Sequence, residues 1–154
     1  MVYAANWDDY QKVPFWDELD YIGVDAYFPL VNEKTPSIKS LKKAWKPVRN
    51  KLWGFSVMKN KPILFTEFGY LTVDNCAHQT WELEKVINEC KINQQAQANA
   101  LQALFETFYG EEFWAGGFIW KWFPEGQGHE GYPAKDYTPQ GKLAENILRD
   151  FYLK

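Results

Sequence analysis

The chain has 154 residues, a net charge of −3 and no basic stripe, so one domain over 1–154 is the expectation and a nucleic-acid partner is argued against. No apolar run reaches the roughly 18 residues a membrane span needs, so no membrane partner is expected. The opening "MVYAANWDDY" has neither the charged nor the apolar region of a signal peptide, which makes cytoplasmic the expected location. Aromatic residues make up 18%, with 8 Trp, more than packing alone usually demands. At least one aromatic platform facing a ligand is therefore expected. Cys76 and Cys90 lack the spacing of a disulfide framework and read as reduced thiols.

Taken in chain order, Val2–Trp7 reads as a short strand ending in Asn6 and Trp7. Pro14–Asp20 has Pro at a first helical position and acids early, and predicts a short helix. Tyr21–Leu30 is a second strand-like run, closed by Pro29. From Ser37 the apolar residues Leu41, Trp45, Val48 and Leu52 recur at helical period. Pro47 predicts a kink or break there, and Gly54 a cap. "PILFTEF" (Pro62–Phe68) is the third strand. The polar segment "LTVDNCAHQTWELEKVINECK" reads as a long loop with room for a short helix, and such loops are often functional. "NQQAQANALQALFETFYG" is the clearest helix, with Leu101, Leu104, Phe105 and Phe108 on one face and Gly110 suited to the C′ position. Gly116–Trp122 predicts a fourth strand. A Gly/Pro-rich loop precedes a last helix beginning near Pro139, with Leu143, Ile147 and Phe151 four apart.

Strands alternate with helices, so the fold class is α/β with a parallel sheet. An open doubly wound sheet and part of a (β/α)8 barrel both fit. The polar residues favour the barrel. Asn6 and Trp7, Asp25 and Tyr27, Glu67, and Trp120 and Trp122 all fall at C-terminal strand ends, the face on which a barrel builds its site. No glycine-rich phosphate turn of a doubly wound sheet occurs.

The segments "YAANW", "FWDELDYIGVDAYFPL", "KPILFTEFGY", "GGFIWKWFP" and "YTPQGKLAENIL", in this order, resemble glycoside hydrolase family 113, (β/α)8 endo-β-1,4-mannanases with two catalytic glutamates. The resemblance implies four βα units equivalent to strands 5–8 of a TIM barrel. It implies a β-linked, mannan-type oligo- or polysaccharide as partner and a site without cofactor or metal. By the same resemblance Glu67 matches the nucleophile at the end of the seventh strand. Tyr27 matches the sixth-strand tyrosine beside it, and Trp120, with Trp122 as the alternative, matches the tryptophan ending the eighth. A retaining glycosidase needs a nucleophile and an acid/base carboxylate about 5–5.5 Å apart. A rigid strand end fixes the first better than a loop does.

Other residues carry two readings. Asp25 binds a sugar hydroxyl or is satisfied by backbone donors. Asn6 and Trp7 line the cleft, or Trp7 packs inside the barrel. Lys121 is expected to alternate away from Trp120. His129, in the Gly-rich loop, reads as a solvated loop residue. Cys76 and His78 have the wrong spacing for a structural zinc.

The segment matching the family's acid/base glutamate, at the end of the fourth strand, does not occur in this sequence. Glu33 follows the sixth-strand equivalent and does not take that role. The chain then reads as a half-barrel with two open strand edges, which invite association. Three expectations follow: a piece of a mannanase-like enzyme inactive alone, a homodimer closing the barrel, or a non-catalytic carbohydrate-binding or structural half-barrel.

Overall fold

In the computed structural model, residues 1–124 and 131–153 are described. His129 lies outside them. Four parallel strands, β1 (Val2–Asn6), β2 (Tyr21–Asp25), β3 (Ile63–Phe68) and β4 (Trp114–Ile119), form one sheet in sequence order. The helices are α1 (Ile38–Lys59), α2 (Thr80–Lys85), α3 (Gln94–Phe108) and α4 (Leu143–Tyr152).

One face of the sheet meets α1 and α3. Ile22, Val24, Ile63, Phe65 and Phe68 are all fully buried there. Edge-to-face rings carry the contact. Phe108 of α3 meets both Phe65, centroids 5.0 Å apart, and Trp45 of α1, at 5.1 Å. Phe105 packs on Phe68 at 5.8 Å and stacks on Phe151 of α4 at 4.9 Å. Such pairs prefer these geometries because the ring face is electron-rich and the edge electron-poor. Much of the aromatic content is therefore core. The opposite face of the sheet is open, with Val2 41% and Phe118 65% exposed.

The expected helical face of α3 is buried throughout, and Gly110 follows the C-cap Tyr109 with φ +88°, a conformation that favours glycine. Asn93 caps the N-terminus by accepting from the Ala96 amide at 3.0 Å. Pro47, in contrast, does not break α1: the helix runs unbroken from Ser37, whose side chain accepts from the Ser40 amide, to Asn60 in the left-handed conformation. Proline inside a helix costs about 3 kcal/mol. Leu41 and Trp45 before it and Leu52 and Phe55 after it are buried and hold both halves in line. Lys43 and Pro47 are exposed, so the carbonyl freed by proline faces water. Gly54 lies within the helix and caps nothing.

Other boundaries also differ. The expected helix over Pro14–Asp20 is only a 3-10 turn at Trp16–Glu18, made by the burial of Trp16, whose indole N–H donates to the Tyr10 carbonyl at 2.7 Å. β2 ends at Asp25, and the chain to Leu30 is a loop. β4 begins two residues before Gly116 and ends at Ile119, leaving Trp120 and Trp122 beyond the strand. The last helix starts at Leu143, and its buried residues are Ala144 and Leu148, with Leu143 exposed.

The loop before α4 is pinned by a buried ion pair. Lys142 Nζ donates to Asp136 Oδ1 at 2.7 Å, to the Asp136 carbonyl at 3.1 Å and to Thr72 Oγ1 at 2.8 Å. Asp136 is 0% exposed. Burial lowers the Lys142 pKa, and its bonds to Asp136 oppose that shift. Removing one partner of such a pair strands the other charge. Lys142→Met is expected to cost about 3–5 kcal/mol in denaturant unfolding. The double variant Asp136→Leu/Lys142→Met is expected to cost less than the single. A single variant within 1 kcal/mol of wild type would show that the pair holds nothing.

Candidate active site

The third strand departs from regular alternation next to Glu67. Val24 pairs with Phe65, but Asp25, the next residue, pairs with Glu67. One extra residue, Thr66, is thereby inserted into β3 at this point. In a regular strand Phe65 and Glu67 would share a face. The irregularity separates them: Phe65 and Phe68 bury on the helix side, and Thr66 and Glu67 are both half-buried. Thr66 Oγ1 donates to Asp25 Oδ1 at 2.7 Å, which ties the extra residue to the neighbouring strand. Bulges commonly re-aim side chains beside functional sites in this way.

Glu67 enters a cleft of about 290 Å³ at the C-terminal end of the sheet. Tyr27, just past β2, donates its hydroxyl to Glu67 Oε2 at 3.0 Å. Burial, and then the charge of Glu67 and the hydrogen bond to it, push the Tyr27 phenol well above the ordinary tyrosine range. It therefore stays protonated, and stays a donor, through neutral and mildly alkaline pH. Tyr137 packs edge-on against Tyr27, centroids 6.2 Å apart, and its hydroxyl accepts from Thr80 Oγ1 at 3.1 Å. Burial raises the Tyr137 pKa also, against the lowering effect of that bond.

Trp120 lines the cleft opposite. Its amide donates to the Phe68 carbonyl at 2.7 Å, so it is registered against the strand that carries Glu67. The intervening Gly69 permits this approach: a Cβ there would lie 2.0 Å from the Trp120 carbonyl oxygen. Lys121 also lines the cleft, with Nζ 4.6 Å from the Trp120 ring centroid. The expected alternation away from Trp120 fails because the strand has already ended.

The structure thus brings together Glu67, Tyr27 and Trp120. Trp122 is half exposed and does not line this cleft. Asp25 and Asn6 share a separate cavity of about 210 Å³ beside β1, and the Asp25 carboxylate is occupied by the Thr66 side chain rather than by backbone donors. Trp7 lines a third cavity, with Tyr10 and Phe28. It reaches the Glu67 cleft only indirectly, by stacking on Trp81 at 5.9 Å and 22°. Trp81 and Glu84, both on α2, line the Glu67 cleft and were not anticipated. The available signal was a tryptophan in an otherwise polar segment following the strand that carries the carboxylate. Among the described residues, no group of three or more His, Cys, Asp or Glu is arranged to hold a metal ion. Cys76 and Cys90 are unbridged, and burial pushes the Cys76 thiol up to about 12. No helix among the described residues is long and apolar enough to cross a membrane.

An unclosed sheet of four parallel strands alternating with helices, with its oriented carboxylate on the C-terminal rim, has the architecture of half a (β/α)8 barrel. The sequence narrows this further. The profile of Glycoside Hydrolase Family 113 matches residues 1–142, and the chain belongs to that family. A GH113 β-1,4-mannanase superposes with a TM-score of 0.76 at 24% identity, over 99% of this chain and 45% of that one. The Alicyclobacillus acidocaldarius GH113 β-mannanase in complex with ManMIm gives 0.75 at 23% identity, over 99% and 44%. A Faecalibacterium prausnitzii β-glucuronidase gives 0.60 at 17% identity, over 99% and 24%. No curated protein sequence matches significantly. The chain spans about 45% of the length of the mannanases it matches.

The Tyr27 bond has a spectroscopic consequence. A tyrosine whose folded pKa lies above its unfolded one stabilises the fold fully below the unfolded value, about pH 10. That contribution is lost as pH rises further. In an alkaline titration followed by tyrosinate absorbance, wild type and Tyr27→Phe are expected to coincide up to about pH 10. A deficit in Tyr27→Phe already near pH 9–10 would show that Tyr27 is not held by burial and Glu67.

Proposed function

We propose that this chain supplies the nucleophile half of a retaining glycosidase site acting on β-linked, mannan-type saccharides. The observation that carries the reading is the Tyr27–Glu67 hydrogen bond at the strand ends, beside the aromatic face of Trp120. In this mechanism Glu67 attacks the anomeric carbon of the sugar. A glycosyl–enzyme ester forms and the bond to the leaving oxygen breaks. Tyr27 donates to one carboxylate oxygen and so leaves the other directed at the sugar. Trp120 offers a flat apolar face to the ring.

The acid/base carboxylate is the missing element. Asp25, the register partner of Glu67, is engaged by Thr66 and lines another cavity. The general acid would then come from a second half-barrel. A homodimer closing the ring is one such source. General acid assistance is worth about 10²–10⁴-fold in rate, so unactivated mannan is cleaved poorly by one copy.

The open sheet favours a second reading, a carbohydrate-binding half-barrel without turnover. Among the described residues, β1 and β4 have no outer neighbour. The two readings separate with an activated substrate, whose leaving group needs no proton. Wild type is expected to release dinitrophenol from dinitrophenyl β-mannoside, and Glu67→Gln to lose about 10⁴-fold or more of that rate. Light scattering reports in the same samples whether the active species has one or two chains. Sugar-dependent quenching of tryptophan fluorescence without release would support the binding reading. Release unaffected by Glu67→Gln would remove Glu67 as nucleophile.

A further inference from the structure

Tyr27 lies beyond the end of β2, its amide turned back onto the Asp25 carbonyl at 3.0 Å rather than onto a neighbouring strand. A phenol there has side-chain torsions of its own, and its hydroxyl serves Glu67 only in one setting of them. The ring that packs on it is Tyr137, from the chain leading into α4. The two rings meet edge-on, centroids 6.2 Å apart at 68°. Tyr137 is 5% exposed, so its own ring has little room to turn.

Tyr137 is anchored at three points. Its hydroxyl accepts from Thr80 Oγ1 of α2 at 3.1 Å, and both residues are buried. Its carbonyl accepts from Gln97 Nε2 of α3 at 3.1 Å. The residue before it, Asp136, is buried and held by Lys142 and Thr72. Gln97 does more than hold Tyr137. The same amide donates to the Tyr70 carbonyl at 2.9 Å, on the chain that has just left β3. Gln97 is fully buried, and a primary amide is costly to bury unless it is hydrogen-bonded. Here its bonds tie Tyr137 to the strand end that carries Glu67. Tyr27 thus has its hydroxyl on Glu67 and its ring on a residue fixed to the same strand end through the core.

We infer that Tyr137 is a positioning residue, whose ring holds the Tyr27 phenol in the setting that donates to Glu67. This rests on the nucleophile reading above and adds a residue that acts on Glu67 through Tyr27. A reacting group is aimed only as well as the groups behind it are fixed. Tyr137 also lines the cleft, so a direct contact with the sugar is the rival account. The two differ in one respect. A residue acting through Tyr27 loses its effect once the Tyr27 hydroxyl is gone, whereas a sugar contact keeps it.

The test is a double-mutant cycle on the whole chain, following dinitrophenol release from dinitrophenyl β-mannoside at saturating substrate. Tyr137→Leu is expected to slow release about 20-fold or more in the wild-type background, and by less than about twofold in Tyr27→Phe. Tyr137→Phe, which keeps the ring, is expected to stay within about fivefold of wild type. Where thermal melting shows Tyr137→Leu to be unfolded, Thr80→Val takes its place, since it removes only the bond to the Tyr137 hydroxyl. Its slowing is expected to be about two- to fivefold, and again absent in Tyr27→Phe. Equal slowing in both backgrounds, or none in either, overturns the positioning role. A second readout needs no turnover. The Tyr27 hydroxyl proton, assigned by its loss in Tyr27→Phe, is expected as a slowly exchanging NMR resonance in wild type. It is expected to exchange faster or disappear in the folded variant. Its absence from wild type, or its persistence unchanged in the variant, overturns the brace. A wild type that shows the resonance yet releases no dinitrophenol overturns the nucleophile reading and leaves the brace standing.

Discussion

The site depends on one extra residue in the third strand. Because Asp25 pairs with Glu67 and not with Thr66, the alternation of β3 is broken between Phe65 and Phe68. Phe65 and Phe68 can then both face the helices while Glu67 faces away from them. Without the irregularity the strand would have to choose. Either Glu67 would follow Phe65 into a packed aromatic core, where an unpaired charge is prohibitively costly, or Phe68 would surrender its place against Phe105. The Thr66–Asp25 bond pins the inserted residue. Tyr27 then reaches Glu67 because the β2 and β3 ends are level, with the Ala26 amide bonded to the Glu67 carbonyl at 2.7 Å. An apolar strand carries an acid to its tip because the buried residues before and after that acid fix where it points.

The same logic extends to the other side of the cleft. Gly69 lets the chain after β4 pass against β3, and the Trp120 amide takes the Phe68 carbonyl. Three elements therefore converge on β3: Tyr27 from one neighbour, Trp120 from the other, and α2 from the loop that follows. The core on the helix side is continuous and aromatic. The open side is not complete by itself, and the mannanases that superpose on this chain are about twice as long. Half a barrel can hold one carboxylate with its orienting partners, because those partners come from adjacent strands. In the proposed mechanism the second carboxylate would be supplied from across the ring.

Much of this was legible from sequence, for identifiable reasons. The runs of β1 and β3 are bounded and apolar, and the face of α3 is continuous, so periodicity suffices for them. Pro47 misled because local propensity says break, whereas two buried apolar residues before it and two after it hold the helix together. Trp16 made a 3-10 turn of what reads as a helix, since burying one indole and its N–H decided the backbone. Glu67, Tyr27 and Trp120 were singled out through five ordered segments rather than through any single residue, and the structure brings the three to one cleft. Trp7 read as a choice between cleft and packing, and in the structure it lines another cavity and stacks on Trp81. Asn6 and Asp25 have the same polar character at strand ends and line another cavity, and Trp122 is half exposed. Nothing in a linear pattern distinguishes them from Glu67. The extra residue in β3 and the short α2 with Trp81 are tertiary outcomes, set by what packs beside them.

The most direct test of the central claim is covalent trapping. A 2-deoxy-2-fluoro-β-mannoside with a dinitrophenyl leaving group slows both steps of a retaining reaction, and its departure needs no acid. The glycosyl ester therefore accumulates if the nucleophile is competent, with or without the other half of the site. Peptide mass spectrometry of the treated chain is expected to find the sugar on Glu67 in wild type, with much slower labelling in Tyr27→Phe. Labelling of another carboxylate, or none under conditions where saccharide binding is saturated, would contradict the assignment of Glu67 as a nucleophile aimed by the irregularity in β3.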